Sequence, residues 1–176
     1  RIQARTFYPL LTLEGVYLHA QGGARLLSRG KVAHRWVVAL FIALRLGSYL
    51  ALVLLVLSPG KAAAFIGLQL AVFGVYMGLS FAPNHVGMPL APRGMKMDFL
   101  SRQVLMSRNI SGGRWLDTFM GGLNFQVEHH LFPSMARPNL RRVAPLVREY
   151  CAKLGVKYTE TSLGAAYRAV TEHLHR

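Results

Sequence analysis

Two apolar runs separated by a short turn limit this chain more than any other feature. Residues 36–57 form a run of 22, apolar except for Arg45 and Ser48, and residues 62–82 form a second run of 21. At a rise of about 1.5 Å per residue, either run is long enough to cross a bilayer core of roughly 30 Å as a helix. The residues between them, Ser58-Pro59-Gly60-Lys61, combine two strong helix stops. Spans joined so closely form an antiparallel hairpin whose open ends lie on one side. The expected fold is an all-α membrane protein, a transmembrane helical hairpin with a helical cap at its open end.

Charge indicates which side that is. The chain carries 21 basic and 7 acidic residues, a formal net charge of +14. Such an excess suits nucleic acid, an anionic membrane face or an acidic small substrate. The apolar runs select the membrane, and no recognised nucleic-acid motif accompanies the charge, so no nucleic-acid partner is expected. Arg25, Arg29, Lys31 and Arg35 precede the first run, Lys61 alone occupies the turn, and Arg93, Lys96, Arg102, Arg108 and Arg114 follow the second. The positive-inside rule therefore puts both ends of the hairpin, and everything beyond it, in the cytoplasm. Arg45 falls near mid-membrane, where a charge costs about 3 kcal/mol on insertion scales, so it is expected to face other helices rather than lipid.

Three segments follow. Residues 1–35 are expected to be an interfacial amphipathic segment with Pro9 in the first turn of its helix, then a basic linker. Residues 36–82 are the hairpin (36–57 and 62–82), and residues 83–176 a cytoplasmic helical region. Within this last part, residues 98–106 fit a short helix or a strand. Residues 115–120 lead as a helix into a histidine-bearing stretch, and a helix over 140–154 stops at Gly155, with Pro145 implying a kink or a later start. Residues 157–159 are extended, and Ser162 caps a last helix reaching His173. Cys151 is the single cysteine, so no intrachain disulfide is possible. His19, His34, His173 and His175 read as solvated or interfacial. The opening residues, Arg1-Ile2-Gln3, read like the middle of a longer protein.

The histidine-bearing stretch is Gly121-Gly122-Leu123-Asn124-Phe125-Gln126-Val127-Glu128-His129-His130-Leu131-Phe132-Pro133. On a helix, Gln126 shares a face with His129 and His130, three and four residues on. Two neutral imidazoles and an amide oxygen suit a first-row metal such as iron, manganese or zinc. His85, just where the second apolar run reaches the cytoplasmic face, is the third imidazole candidate, 44 residues before His129.

That stretch, continued by Ser134-Met135-Ala136-Arg137-Pro138-Asn139-Leu140, resembles the third histidine box of the membrane fatty-acid desaturases. It is most similar to the branch in which glutamine replaces the first histidine, as in front-end and linoleoyl-CoA-type enzymes. Residues 80–89 and Ser107-Arg108-Asn109-Ile110 also resemble segments of bacterial members, and the similarity covers nearly the whole chain. The resemblance implies a non-haem centre of two iron ions, held by histidines of three boxes and one more near the last span. His129 and His130 match the third box and His85 the additional position. Gln126 stands where other branches carry a ligating histidine, and either binds metal through its amide oxygen or orients a neighbouring ligand. Glu128, Asn124 and Asn84 are candidates for supporting the ligands from behind, Glu128 by a hydrogen bond to an imidazole. In the branch with an all-histidine box, an asparagine four residues before the extra histidine contacts the metal through water. Phe81 occupies that position here, so the role is lost or passes to Asn84.

The implied activity is O2-dependent insertion of a double bond into an acyl chain carried by coenzyme A or a lipid, in the bacterial cytoplasmic membrane. Electrons would come from an external donor, a ferredoxin or a cytochrome b5-type protein with its reductase. No catalytic residues beyond the metal ligands are implied. Arg137, Arg141, Arg142 and Arg148 are candidates for the phosphates of coenzyme A or of lipid headgroups, or else a solvated basic face. The chain offers about four metal ligands, whereas two irons need roughly eight donors. The family's H-x(3-4)-H and H-x(2-3)-H-H boxes do not occur in it and are expected upstream of Arg1, so the chain alone is expected to be inactive. Competing readings are a hydroxylase or ketolase of the same superfamily, a membrane-anchored interaction module without metal, and a bis-histidine haem protein.

Overall fold

The two apolar runs become helices α2 (Arg35–Val56) and α3 (Pro59–His85) in the computed structural model, which describes residues 2–28, 30, 32–90 and 94–175. Arg29, Lys31 and Arg93, counted above among the basic flanks, lie outside the described residues. Both helices are long and apolar enough to cross a membrane. Their side chains stay open, with Trp36 82% and Leu55 84% exposed, whereas a core helix of a soluble protein would cover such residues. The turn is shorter than the four residues read from the sequence. Leu57 is extended, and Pro59 already begins α3, because a proline at the first helical position gives up an N–H that would be unpaired anyway.

The described residues form two compact units, one within residues 7–77 and one within residues 1–6 and 78–176. The first holds most of α1 (Ile2–Leu27), α2 and the greater part of α3. Because α1 already runs from Ile2, Pro9 sits inside it rather than in its first turn. A Cβ on Gly15 would collide with the carbonyl oxygen of Leu70, and one on Gly74 with that of Leu11. Only hydrogen at both positions lets these backbones touch, the close approach that small residues permit between helices in lipid. Arg45 lines a cavity of about 480 Å³ together with His19, Tyr49 and Gln69, and the Tyr49 hydroxyl donates to the Gln69 amide oxygen.

The second unit is built around short elements. After the end of α3 come α4 (Phe99–Leu105), strand β1 (Asn109–Ser111), α5 (Arg114–Phe119), α6 (Gln126–Leu131), α7 (Arg137–Lys153), strand β2 (Glu160–Ser162) and α8 (Leu163–His175). Asp98 caps α4, its carboxylate accepting from the Ser101 N–H at 2.9 Å, and the Ser101 hydroxyl together with that N–H lowers the pKa of the carboxyl. The chain is predominantly helical, with one small addition. β1 and β2 pair in parallel, Ile110 opposite Thr161, and bring residues 51 apart into register.

Two apolar clusters fix this unit. Val104, Val127, Val147 and Cys151 join α4, α6 and α7, while Ile110, Leu116, Met120 and Ala166 join β1, α5 and α8. Each fully buried valine contributes about 1.5–3 kcal/mol by leaving water. Burial, and after it the charge of Glu128, pushes the Cys151 thiol up. α7 runs through Pro145 without a break and ends at Lys153, just before Gly155, whose φ of 68° allows its N–H to reach Ala152 and the next N–H to reach Cys151.

Candidate metal centre

α6 is six residues long and carries the whole histidine box. Its two faces do different work. Val127 and Leu131 pack into the cluster with α4 and α7, anchoring the helix, while Gln126 and His130 share the other side. The break before it is made by Gly121 and Gly122, with φ of 57° and 79°, a conformation that side chains rarely adopt. Residues 114–131 are therefore two short helices and a turn, not one helix leading into the box.

His85 is the last residue of α3, and its ring stacks on that of His130 with centroids 5.2 Å apart and planes 22° from parallel. The His129 ring lies 6.1 Å from that of His130. The Gln126 amide meets His130 Nε2 at 2.9 Å through its nitrogen, and its buried oxygen has no hydrogen-bond partner. Turning the amide over exchanges the two atoms and presents the oxygen on the imidazole side. Burial, then the nearby His85 and His129, lower the pKa of His130. That favours the neutral imidazole, the form that ligates metal.

Behind the imidazoles sits a polar network. The Glu128 carboxylate is fully buried and accepts from Asn109 Nδ2 at 2.6 Å and from the Tyr158 hydroxyl at 2.8 Å. It does not bond an imidazole, because at about 100° per residue it points nearly opposite to His130. The Asn109 oxygen in turn accepts from the Val127 N–H at 2.9 Å, so this network fixes the backbone of α6. The charge and burial around Tyr158 push its phenol well above its ordinary value, burial contributing most. Asn84 is also buried and donates to the carbonyls of Ser80 at 3.0 Å and Leu123 at 3.1 Å, tying the end of α3 to the turn before α6. Asn124 donates to Asp117 at 2.8 Å. The amide oxygens of Asn84 and Asn124 are buried without partners.

Sequence reasoning missed Arg108. Its backbone N–H bonds Asn84 O at 3.0 Å, its Nε bonds Pro83 O at 2.6 Å, and its terminal nitrogen bonds Val86 O. A guanidinium thus closes the C-terminal end of α3 around His85, where both the free carbonyls and the helix dipole favour a cation. Burial lowers its pKa from the ordinary arginine value. The only sequence signal was its place in Ser107-Arg108-Asn109-Ile110.

The four arginines singled out as phosphate candidates separate. Arg137 and Arg141 line one cleft. Arg148 pairs with Glu160 and lies over the Tyr158 ring, and Arg142 is exposed on α7 outside that cleft.

The donor chemistry fits a first-row metal: three imidazoles at one place and a buried amide oxygen without a partner. The number of donors does not close a site. Among the described residues, no three His, Cys, Asp or Glu side chains converge closely enough to hold an ion alone.

The model of the fatty acid desaturase family matches residues 3–162. An acyl-lipid (9-3)-desaturase of Borago officinalis is 32% identical over 164 residues, covering 92% of this chain and 36% of that protein. A protein of the same description from Physcomitrium patens is 41% identical over 90 residues, covering 51% and 17%. A delta 8-(E)-sphingolipid desaturase of Kluyveromyces lactis is 41% identical over 93 residues, covering 53% and 16%. The chain thus spans from 16% to 36% of the length of these relatives. No solved structure matches it.

Proposed function

This chain belongs to the fatty acid desaturase family, and from that premise we propose that it supplies part of the di-iron centre of an enzyme that inserts a double bond into an acyl chain. The observation that carries this reading is the stacking of His85 on His130, 5.2 Å between rings, from positions 45 apart in the sequence. His85, His129 and His130 would hold iron, and Gln126 would ligate through its amide oxygen or orient His130. When bound, the two irons supply the oxidising chemistry that uses O2 to remove hydrogen from adjacent methylenes.

This chain's own residues position those ligands. Arg108 holds the end of α3 that bears His85, and Asn109 with Glu128 holds the backbone of α6. Asn84 links the two. The remaining donors, roughly four or more, come from polypeptide outside these 176 residues. The substrate is an acyl chain carried by coenzyme A or by a lipid, and the electron donor is a separate ferredoxin or cytochrome b5-type protein. The excess of basic residues at the open end of the hairpin supports a cytoplasmic position for that end and for the site.

The test is product analysis in a host that lacks the double bond. His129→Ala or His130→Ala in the intact enzyme is expected to abolish unsaturated product. Normal product from either variant would remove the metal assignment. A gene encoding H-x(3-4)-H and H-x(2-3)-H-H boxes together with this chain is also expected.

A further inference from the structure

Arg114 at the start of α5, and Arg137 and Arg141 on the first turns of α7, line one cleft of about 490 Å³ in the second unit. Its floor is the Gly121-Gly122 turn. A Cβ on Gly122 would lie 3.1 Å from Arg137 Cβ, and one on Gly121 3.2 Å from an Arg137 guanidinium nitrogen. Bare backbone is therefore what leaves room for the arginine, which donates to Gly121 O at 3.3 Å.

The charge does not cancel. Asp117 is the one acid in the lining and pairs with Arg141, while also accepting from Asn124. Three arginines against one aspartate leave a surplus of two positive charges, the complement of a phosphate dianion. Among the described residues, no ion pair joins the guanidinium of Arg114 or Arg137 to a carboxylate. Guanidinium groups recognise phosphate oxygens in pairs, and α7 starts at the cleft with no side-chain cap, its positive dipole end available.

We propose that this cleft binds a phosphate group of an amphiphilic acyl carrier, with Arg114 and Arg137 as its principal contacts. The proposal rests on the acyl-substrate reading above for the class of ligand, and adds a place for its polar end. Phe125 lines the cleft and its carbonyl accepts from the His129 N–H at 3.0 Å, so the cleft adjoins the N-terminus of the histidine helix. A headgroup held there fixes one end of the substrate relative to the ligand-bearing element. Arg148 and Arg142 play no part in it.

The experiment is equilibrium binding by the intact enzyme in neutral nanodiscs, with coenzyme A and inorganic phosphate as soluble probes, and in nanodiscs of phosphatidylglycerol against phosphatidylcholine. Binding needs no turnover, so its result is separable from failure of the desaturase reading, which product analysis alone decides. Arg114→Gln and Arg137→Gln are each expected to weaken binding by roughly tenfold, the loss of a charged hydrogen bond. Arg114→Lys retains part of the affinity and Arg142→Gln all of it. Loss confined to coenzyme A identifies an acyl-CoA phosphate, and loss confined to phosphatidylglycerol a lipid headgroup. Equal loss for coenzyme A and inorganic phosphate supports a general phosphate site. Unchanged affinity for all probes in both glutamine variants, with thermal stability also unchanged, would overturn the proposal.

Discussion

Glu128 and His130 are two residues apart on one short helix and face opposite ways, and that division explains what each contributes. His130 stands among imidazoles, whereas Glu128 is enclosed with Asn109 and Tyr158 as its donors. Removing the carboxylate leaves the Tyr158 hydroxyl proton and one Asn109 N–H without their acceptor, at about 1–3 kcal/mol for each, while Asn109 Nδ2 keeps only its bond to the Tyr158 oxygen at 2.6 Å. Glu128→Ala is therefore expected to lower unfolding stability by about 3 kcal/mol or more, and Tyr158→Phe by about 1 kcal/mol, read by thermal denaturation in detergent. Equal, small losses in both would mean that the carboxylate is not the hub of the network. Gln126→His, which restores the histidine that other branches carry, should leave activity in part if residue 126 ligates. An inactive variant that still carries a full complement of iron would assign Gln126 to orienting His130 instead.

The elements show which parts of this arrangement can be read from sequence. The box is legible because Gln126, His129 and His130 are neighbours on one helix, so spacing alone puts them together. Arg108, Asn109, Tyr158 and Tyr167 are not, because their partners lie 18 to 88 residues away and only the packing of α3, β1, α6 and α8 brings them in. Tyr167 gives the clearest case. Pro83 has no N–H to offer the carbonyl of Leu79 one turn earlier, a gap that would ordinarily kink a helix. The Tyr167 hydroxyl, from α8, donates to that carbonyl at 2.6 Å, and α3 continues to His85. Tyr167→Phe is expected to cost about 1 kcal/mol in stability and to lower iron occupancy, measured by metal analysis, because it loosens the turn that carries His85. Gly121 and Gly122 were visible as residues, but not that their left-handed conformation ends α5, with the Gly122 N–H bonding Asp117 O at 2.7 Å and Arg137 packed against them. Gly122→Ala is expected to lower stability by about 1–2 kcal/mol from backbone strain and the tight contact with Arg137.

At the scale of the whole molecule, two long open helices and a polar, histidine-bearing unit call for different solvents. The exposed apolar side chains of α2 and α3 would aggregate in water and are satisfied in lipid. Cys151 is buried, and its raised thiol pKa keeps it in the unreactive form, so it does not compete with a cysteine introduced into this chain. Lys153→Cys is expected to react with an impermeant maleimide only from the cytoplasmic face, and Lys61→Cys, in the turn, only from the opposite face. Labelling of both from one side would contradict the hairpin. The proposed metal centre is shared by α3 and α6, and iron content tests it most directly. The intact enzyme is expected to carry two irons, and His85→Ala and His130→Ala each to lose iron while remaining folded and inserted in the membrane. Full iron in both variants, with an unchanged Mössbauer spectrum, would contradict it.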